Sequence, residues 1–277
     1  MQPVIVRTLA LVAVLTASVT ACSTQATPRR PAGRSVSLPP VHGRVSYQIS
    51  GAYAPPAAVS IVDRDHTDAA DPTRFSICYV NAYQAQADAM GWWTTHHPEL
   101  LLRDSAGQLV IDGQWDEPLL DISTPRRRTA LLTVVGRWID ECARRGYRAV
   151  EADNLDSYTR SHGRLSSADA LVFGQLLSGR AHRNHLSLGQ KNAGELAARA
   201  HRVGFDFAIA EECQVYSECD AYAAVYGRAL IEIEYTDQPM AAFVTACRLR
   251  GATASVVLRD RQVALPGDPA HVERWCP

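Results

Sequence analysis

Short apolar runs recur along the chain from position 45 onward. Each closes on polar or charged side chains, and helical stretches separate the later ones. Eight runs have the length and β-branched character of strands: residues 45–49, 59–63, 75–80, 149–153, 186–190, 205–210, 230–235 and 254–258. Residues 129–145 repeat Leu131, Leu132, Val135, Trp138 and Ile139 at helical spacing and stop at Gly146. Residues 167–182 carry Leu171, Val172, Leu176 and Leu177 in the same way, and residues 195–202 and 239–250 complete the alternation. Strand then helix, repeated, predicts an α/β fold of parallel strands joined by right-handed crossovers. Eight such strands fit a single-domain (β/α)8 TIM barrel. A doubly wound open sheet is the rival. It would ordinarily carry a G-x-G-x-x-G turn after its first strand, and the chain has none.

The strand ends carry the chemistry. In order they present Gln48, Asp63 with Asp65, Asn81, Asp153 with Asn154, Lys191 with Asn192, Glu211 with Glu212, Glu234 with Tyr235, and Arg259 with Asp260. A barrel gathers these tips on the face where its enzymes place their active sites, so the pattern predicts a polar, mostly acidic bowl. Glu151 and Asp153 share one face of their strand because side chains alternate with period two, and Asp156 follows just past the tip. Two strands on, Glu211 and Glu212 supply a second carboxylate pair. Carboxylates facing each other across a barrel mouth suit glycoside hydrolysis, in which one protonates the leaving oxygen and the other attacks the anomeric carbon or activates water. Glu151 has a second reading, as a structural partner of Lys191.

Composition narrows the partners. Lys plus Arg number 28 and Asp plus Glu 29, for a formal charge of −1, which excludes nucleic-acid binding driven by a basic face. At the N-terminus Arg7 precedes an apolar run and small residues, which reads as a signal peptide over residues 1–21. The run ends in Val19-Thr20-Ala21-Cys22, a lipobox-like sequence that predicts lipidation of Cys22 and anchoring to the outer face of a bacterial membrane. Residues 22–43, rich in Pro, Thr, Ser and Arg, read as a flexible linker, leaving 44–277 as the catalytic domain. Six further cysteines suit three disulfides in an exported chain. Fifteen pairings are open to six cysteines, and spacing favours Cys213–Cys219 as a local clip and Cys247–Cys276 at the C-terminus, leaving Cys78–Cys142. No C-x-x-C spacing occurs, so no metal is expected.

The ordered motifs carry a resemblance. The segments 151–156 (EADNLD), 189–192 (GQKN), 205–213 (FDFAIAEEC) and 232–235 (EIEY) resemble glycoside hydrolase family 114, the endo-α-1,4-polygalactosaminidases with a (β/α)8 barrel. Earlier matches are 47–51 (YQISG), 63–65 (DRD), 77–79 (ICY) and 120–122 (LDI). The resemblance spans residues 45–260. It implies Asp153 and Glu211 as the catalytic pair, with no cofactor, and substrate contacts from Asp63, Tyr79, Asp121, Asn154, Asp156, Lys191, Asn192 and Tyr235. The family often has proline at Ala152, asparagine at Ala210, glutamine at Glu212 and tryptophans around Tyr47. Ala210 and Tyr47 are therefore expected to alter the cleft wall and hence the polymer recognised.

The implied substrate is a galactosamine-containing polysaccharide, and the acidic bowl would concentrate such a cation. A monomer is expected. Two other functions remain open: a non-catalytic carbohydrate-binding lipoprotein, and a hydrolase of another exopolysaccharide or cell-wall glycan. Trp92, Trp93 and Trp115 read as core residues, with one of them a candidate to line the cleft. His96, His97, His182 and His185 read as solvated, and Arg126-Arg127-Arg128 as an exposed helix start.

Overall fold

The computed structural model describes residues 36–277. The predicted signal segment, Cys22 and the linker up to residue 35 lie outside the described residues. Residues 36–43 form no helix or strand.

Eight parallel strands follow in chain order: Val45–Gln48 (β1), Ile61–Asp65 (β2), Phe75–Asn81 (β3), Ala149–Asp153 (β4), Ser187–Lys191 (β5), Phe207–Glu211 (β6), Leu230–Tyr235 (β7) and Ser255–Arg259 (β8). Each pairs with its sequence neighbour, as a singly wound barrel requires. Every predicted strand is present, with ends shifted by at most two residues. The helices are Met90–His96 (α1), Pro125–Arg144 (α2), Ser167–Arg183 (α3), Ala197–Val203 (α4), Cys219–Tyr226 (α5) and Met240–Arg250 (α6). The sequence pattern did not indicate α1 or α5, which are only 7 and 8 residues long. Nor did it indicate the three-residue strand Glu273–Trp275 (β9), which runs antiparallel to β8.

β9 closes the barrel. β1 and β8 come together without a regular ladder, and side chains bridge the seam instead. Trp275 Nε1 donates to the Val45 carbonyl (2.7 Å), Arg259 Nε to the Tyr47 carbonyl (3.1 Å), and Ser46 Oγ to Glu273 Oε1 (2.8 Å). The Cys247–Cys276 disulfide holds this terminal strand to α6. Cys78–Cys142 ties β3 to α2, and Cys213–Cys219 clips the loop after β6.

Strand parity sorts the core into two layers. Val45, Tyr47, Ile61, Ile77, Ala149, Phe207, Ile209, Ile231, Ile233 and Val257 point inward and pack together inside the barrel. Val80, Val150, Ala152, Leu188, Ala208 and Ala210 point outward against the helices. The same parity sends Asp63, Tyr79, Glu151, Asp153, Lys191, Glu211 and Tyr235 inward. α2 begins with Thr124, whose side chain accepts the Arg127 N–H, and Pro125 at its first position; α3 begins with a capping box between Ser166 and Asp169. Arg126 and Arg127 are exposed as expected of a helix start, Arg127 pairing with Asp121, whereas Arg128 is buried against Asp169.

Candidate active site

The barrel mouth opens into a cleft of about 510 Å3. Three consecutive strands end in a left-handed residue that turns the chain sharply over this mouth: Asn154 (φ 67°), Asn192 (φ 51°) and Glu212 (φ 55°). Asn tolerates that region; Glu does so at a cost, a kind of strain that concentrates at functional sites.

Lys191 is the centre of the floor. Its side chain is 2% exposed, and its Nζ lies 2.6 Å from Glu151 Oε1, 3.4 Å from Asp153 Oδ1 and 3.4 Å from Glu211 Oε1. It also donates to the Tyr47 hydroxyl at 3.0 Å, which in turn donates to Glu151 Oε1 at 3.1 Å. Burial by itself would lower the ammonium's pKa. Asp153, Glu151 and Glu211 outweigh it and hold the group well above its usual range, so Lys191 is a fixed cation. Glu151, with no exposed surface, is thus the structural partner of Lys191.

Asp153 and Glu211 rise above this floor, 16% and 23% exposed. Each has its own donors. Tyr79 Oη donates to Asp153 Oδ2 (2.7 Å) and the Asn154 backbone N–H to Oδ1 (2.8 Å). Asn192 Nδ2 donates to Glu211 Oε2 (3.0 Å), and the Tyr235 hydroxyl donates to Oε1. Because Asp153 Oδ1 and Glu211 Oε1 both reach one nitrogen, they lie no further apart than twice 3.4 Å.

The other residues expected to touch substrate divide into two groups. Tyr79, Asn154, Asp156, Lys191, Asn192 and Tyr235 line the cleft. Asp63 and Asp121 do not. Asp63 is 1% exposed and lies beneath the floor beside Glu151; burial and the Glu151 charge push its carboxyl well above the usual range. Asp121 accepts from the Ser123 N–H (3.0 Å) and pairs with Arg127, which fixes the turn into α2. Tyr47 and Ala210, expected in the cleft wall, are fully buried: Tyr47 in the floor and Ala210 on the outer face of β6. His182 binds Asp206 at 2.8 Å and is not merely solvated. Trp93 is core, whereas Trp115 stands 45% exposed on the cleft rim.

In the wall built by the long β3–β4 connection, sequence reasoning had one candidate, Trp115, and missed the acidic residues. The hairpin there, Ile111–Asp112 with Glu117–Pro118, brings Asp112, Trp115 and Glu117 to the cleft. Glu117 Oε2 accepts from Asn81 Nδ2 (2.8 Å) and Asn154 Nδ2 (3.5 Å). Burial, with Asp153 and Asp112 nearby, pushes its carboxyl up to about 7 against the Asn81 hydrogen bond and Arg160. Arg160 and Arg261 were missed as well. Arg160 bridges Asp112 and Asp156, and Arg261 binds Glu212 and Asp237 while covering the Tyr235 ring. No periodicity marks such residues, because Arg160 reaches the mouth from a short 3-10 helix after β4 and Arg261 from the turn after β8.

Among the described residues, one cluster has ligand-type atoms close enough for a metal: Cys213, Cys219, Glu232 and Glu234. Its sulfurs are joined in a disulfide and Glu232 is held by Arg250 through both oxygens, so most of its donors are already engaged.

A (β/α)8 barrel whose mouth sets two carboxylates over a sugar-sized groove, each held by its own donors, has the architecture of a glycoside hydrolase. The family description agrees: glycoside-hydrolase family GH114 matches residues 25–277, and the chain belongs to that family. Solved structures similar in fold include the following two. Ega3 of Aspergillus fumigatus, solved in complex with galactosamine, is 21% identical, with 88% of this chain and 99% of that one covered and a TM-score of 0.70. The glycoside hydrolase domain of PelA from Pseudomonas aeruginosa is 16% identical, with 81% and 97% covered and a TM-score of 0.55. No curated protein sequence matches the chain significantly.

Proposed function

We propose that this glycoside hydrolase cleaves α-1,4-linked galactosamine-containing polysaccharide, with Asp153 and Glu211 as its catalytic pair. The observation that carries the reading is the placement of these two carboxylates, both 3.4 Å from the Lys191 ammonium and both open to the cleft. Asp153 is held by Tyr79, the backbone and side chain of Asn154, and Lys191, which aim its carboxylate for attack on the anomeric carbon. Glu211, opposite, is the general acid that protonates the departing oxygen. Product stereochemistry turns on the separation of the two carboxyls, which their shared contact with Lys191 bounds at twice 3.4 Å for one oxygen pair. Inverting enzymes need about 6.5–9.5 Å to admit a water, retaining ones about 5–5.5 Å. Asn192, Tyr235, Asn154 and Asp156 orient the pair and the sugar. The acidic cleft and the galactosamine bound to the structurally similar Ega3 both support an amino-sugar polymer as substrate.

The reading includes the address. The Val19-Thr20-Ala21-Cys22 sequence supports export, cleavage before Cys22 and lipid anchoring of a monomer at the bacterial cell surface. Labelling with a radioactive fatty acid, lost in C22A, tests this part.

The activity is tested with a deacetylated α-1,4-galactosamine polymer by counting new reducing ends. Wild-type protein is expected to generate them, and D153N and E211Q to fall by about 10³-fold or more. No ends above the D153N control would refute the proposal, and proton NMR of the first product would decide retention.

A further inference from the structure

Three cations line the cleft, and each is already neutralised. Lys191 is held by Glu151 at 2.6 Å. Arg160 is held by Asp112 at 2.6 Å and Asp156 at 2.8 Å, and Arg261 by Glu212 at 2.6 Å and Asp237 at 2.9 Å. These pairs occupy Asp112, Asp156 and Glu212. Glu195 accepts the Tyr158 hydroxyl, and both it and Glu218 sit exposed at the outer rim. Glu117 differs from all of these. It is half-buried, lines the cleft, and forms no ion pair with any described residue. Two side-chain amides fix one of its oxygens, Oε2, which leaves Oε1 for a ligand.

Its position relative to Asp153 is set by one atom. Asn154 Nδ2 lies 3.5 Å from Glu117 Oε2 and 3.4 Å from Asp153 Oδ2, so the two carboxylates flank the same amide. A sugar whose C1 stands over Asp153 carries its C2 substituent on the adjoining ring carbon, within reach of that amide when C2 faces the Glu117 wall. We infer that Glu117 reads the free ammonium group at C2 of the sugar seated over Asp153, and so makes the site select galactosamine residues over N-acetylated or neutral ones. This rests on the proposed galactosaminidase activity and adds the residue that sets its substrate.

The chemistry favours a carboxylate there. An ammonium at C2 withdraws electrons from the neighbouring anomeric centre and opposes the positive charge that builds on it. A carboxylate paired to that ammonium offsets the effect and gives a charge-assisted hydrogen bond. An N-acetyl group has no charge to pair and would cover the Glu117 carboxylate with an apolar methyl. The groups facing Glu117 are Asn81 and Tyr79 from β3, Asp153 and Asn154 from β4, Asp112 from its own hairpin and Arg160 beyond β4. Burial among them leaves the empty site's carboxyl partly protonated at neutral pH, so capture of an ammonium drives a proton off.

The test uses galactosamine, N-acetylgalactosamine and galactose as probes, titrated calorimetrically at pH 7 into the wild-type protein and E117Q. Wild-type protein is expected to bind galactosamine about tenfold more tightly than galactose. Binding should release roughly half a proton, read from buffers of different ionisation enthalpy. In E117Q both the preference and the proton release should vanish, while melting temperature stays within a few degrees. Should E117Q lose its fold, Glu117→Asp, which keeps the charge but withdraws it, must show a weakened preference. A wild-type protein indifferent to the amine, or a variant that keeps the preference, overturns the inference. A protein that cleaves the amino polymer equally well with and without Glu117 sinks this inference alone. One that prefers galactosamine through Glu117 yet never cleaves the polymer sinks the proposed activity alone.

Discussion

Lys191→Met tests the electrostatic floor on which the site stands. The substitution keeps most of the side chain's length and removes the charge together with its donors to Glu151 and Tyr47. Glu151, with no exposed surface and bonded to Lys191 at 2.6 Å, would then be a buried carboxylate without its counterion, next to Asp153 and Glu211. Removing one partner of such a pair costs about 3–5 kcal/mol. With a typical urea m-value for a domain of this size, the midpoint should fall by roughly 1–2 M at pH 7. Tryptophan fluorescence during urea unfolding reads this directly. The pH dependence has a defined sign. Loss of Lys191 raises the folded-state pKa of Glu151 further, and a raised carboxyl contributes stability at low pH that is lost as pH rises through the folded value. The deficit of the variant should therefore shrink toward pH 5 and widen above neutrality. The double variant K191M/E151Q removes charge and counter-charge together and should recover most of the loss. An unchanged midpoint at pH 7, or a deficit that grows on acidification, would show that Lys191 does not neutralise the floor.

Three further outcomes follow from the fold. Glu234 lies outside the barrel wall with Oε2 unpartnered; burial, with Glu232 and Glu212 nearby, pushes its carboxyl from an ordinary 4.5 up to about 7. Its stabilising effect is present below about 4.5 and lost as pH rises through about 7, so E234Q should exceed wild type by about 1–2 kcal/mol above neutrality, after allowance for partial solvent screening. Melting temperatures at pH 5 and pH 8 that differ by the same amount in both proteins would contradict it. Gly189→Ala would place a Cβ 2.6 Å from the Phe207 ring inside the packed barrel, at about 1–3 kcal/mol, and a variant melting with wild type would show that the ring has room to move. Replacing Cys247 and Cys276 with serine frees β9 from α6 and opens a 29-residue loop, at about 3 kcal/mol. Calorimetry should record a drop of roughly 5–10 °C, and an unchanged transition would mean that the seam bonds of Trp275 and Arg259 hold the strand unaided.

The order of strands, the barrel class and the inward placement of Glu151, Asp153, Lys191 and Glu211 follow from the sequence because they depend on local rules. Period-two alternation fixes which side chains face the interior, and apolar runs separated by helical ones fix the parallel winding. A barrel then brings the strand tips onto one face whatever their distance along the chain. What the tertiary structure alone decided is depth and neighbourhood. Parity sends Asp63 and Asp153 inward alike, but only packing buries Asp63 under Glu151 and leaves Asp153 at the surface of the cleft. Asp121 looks like another strand-tip acid until Arg127 and Ser123 claim it. Glu117 and Trp115 belong to a loop wall with no repeating pattern, and β9 is a three-residue strand whose only role is at the seam. Their places depend on contacts between residues far apart in the chain, which no local period encodes.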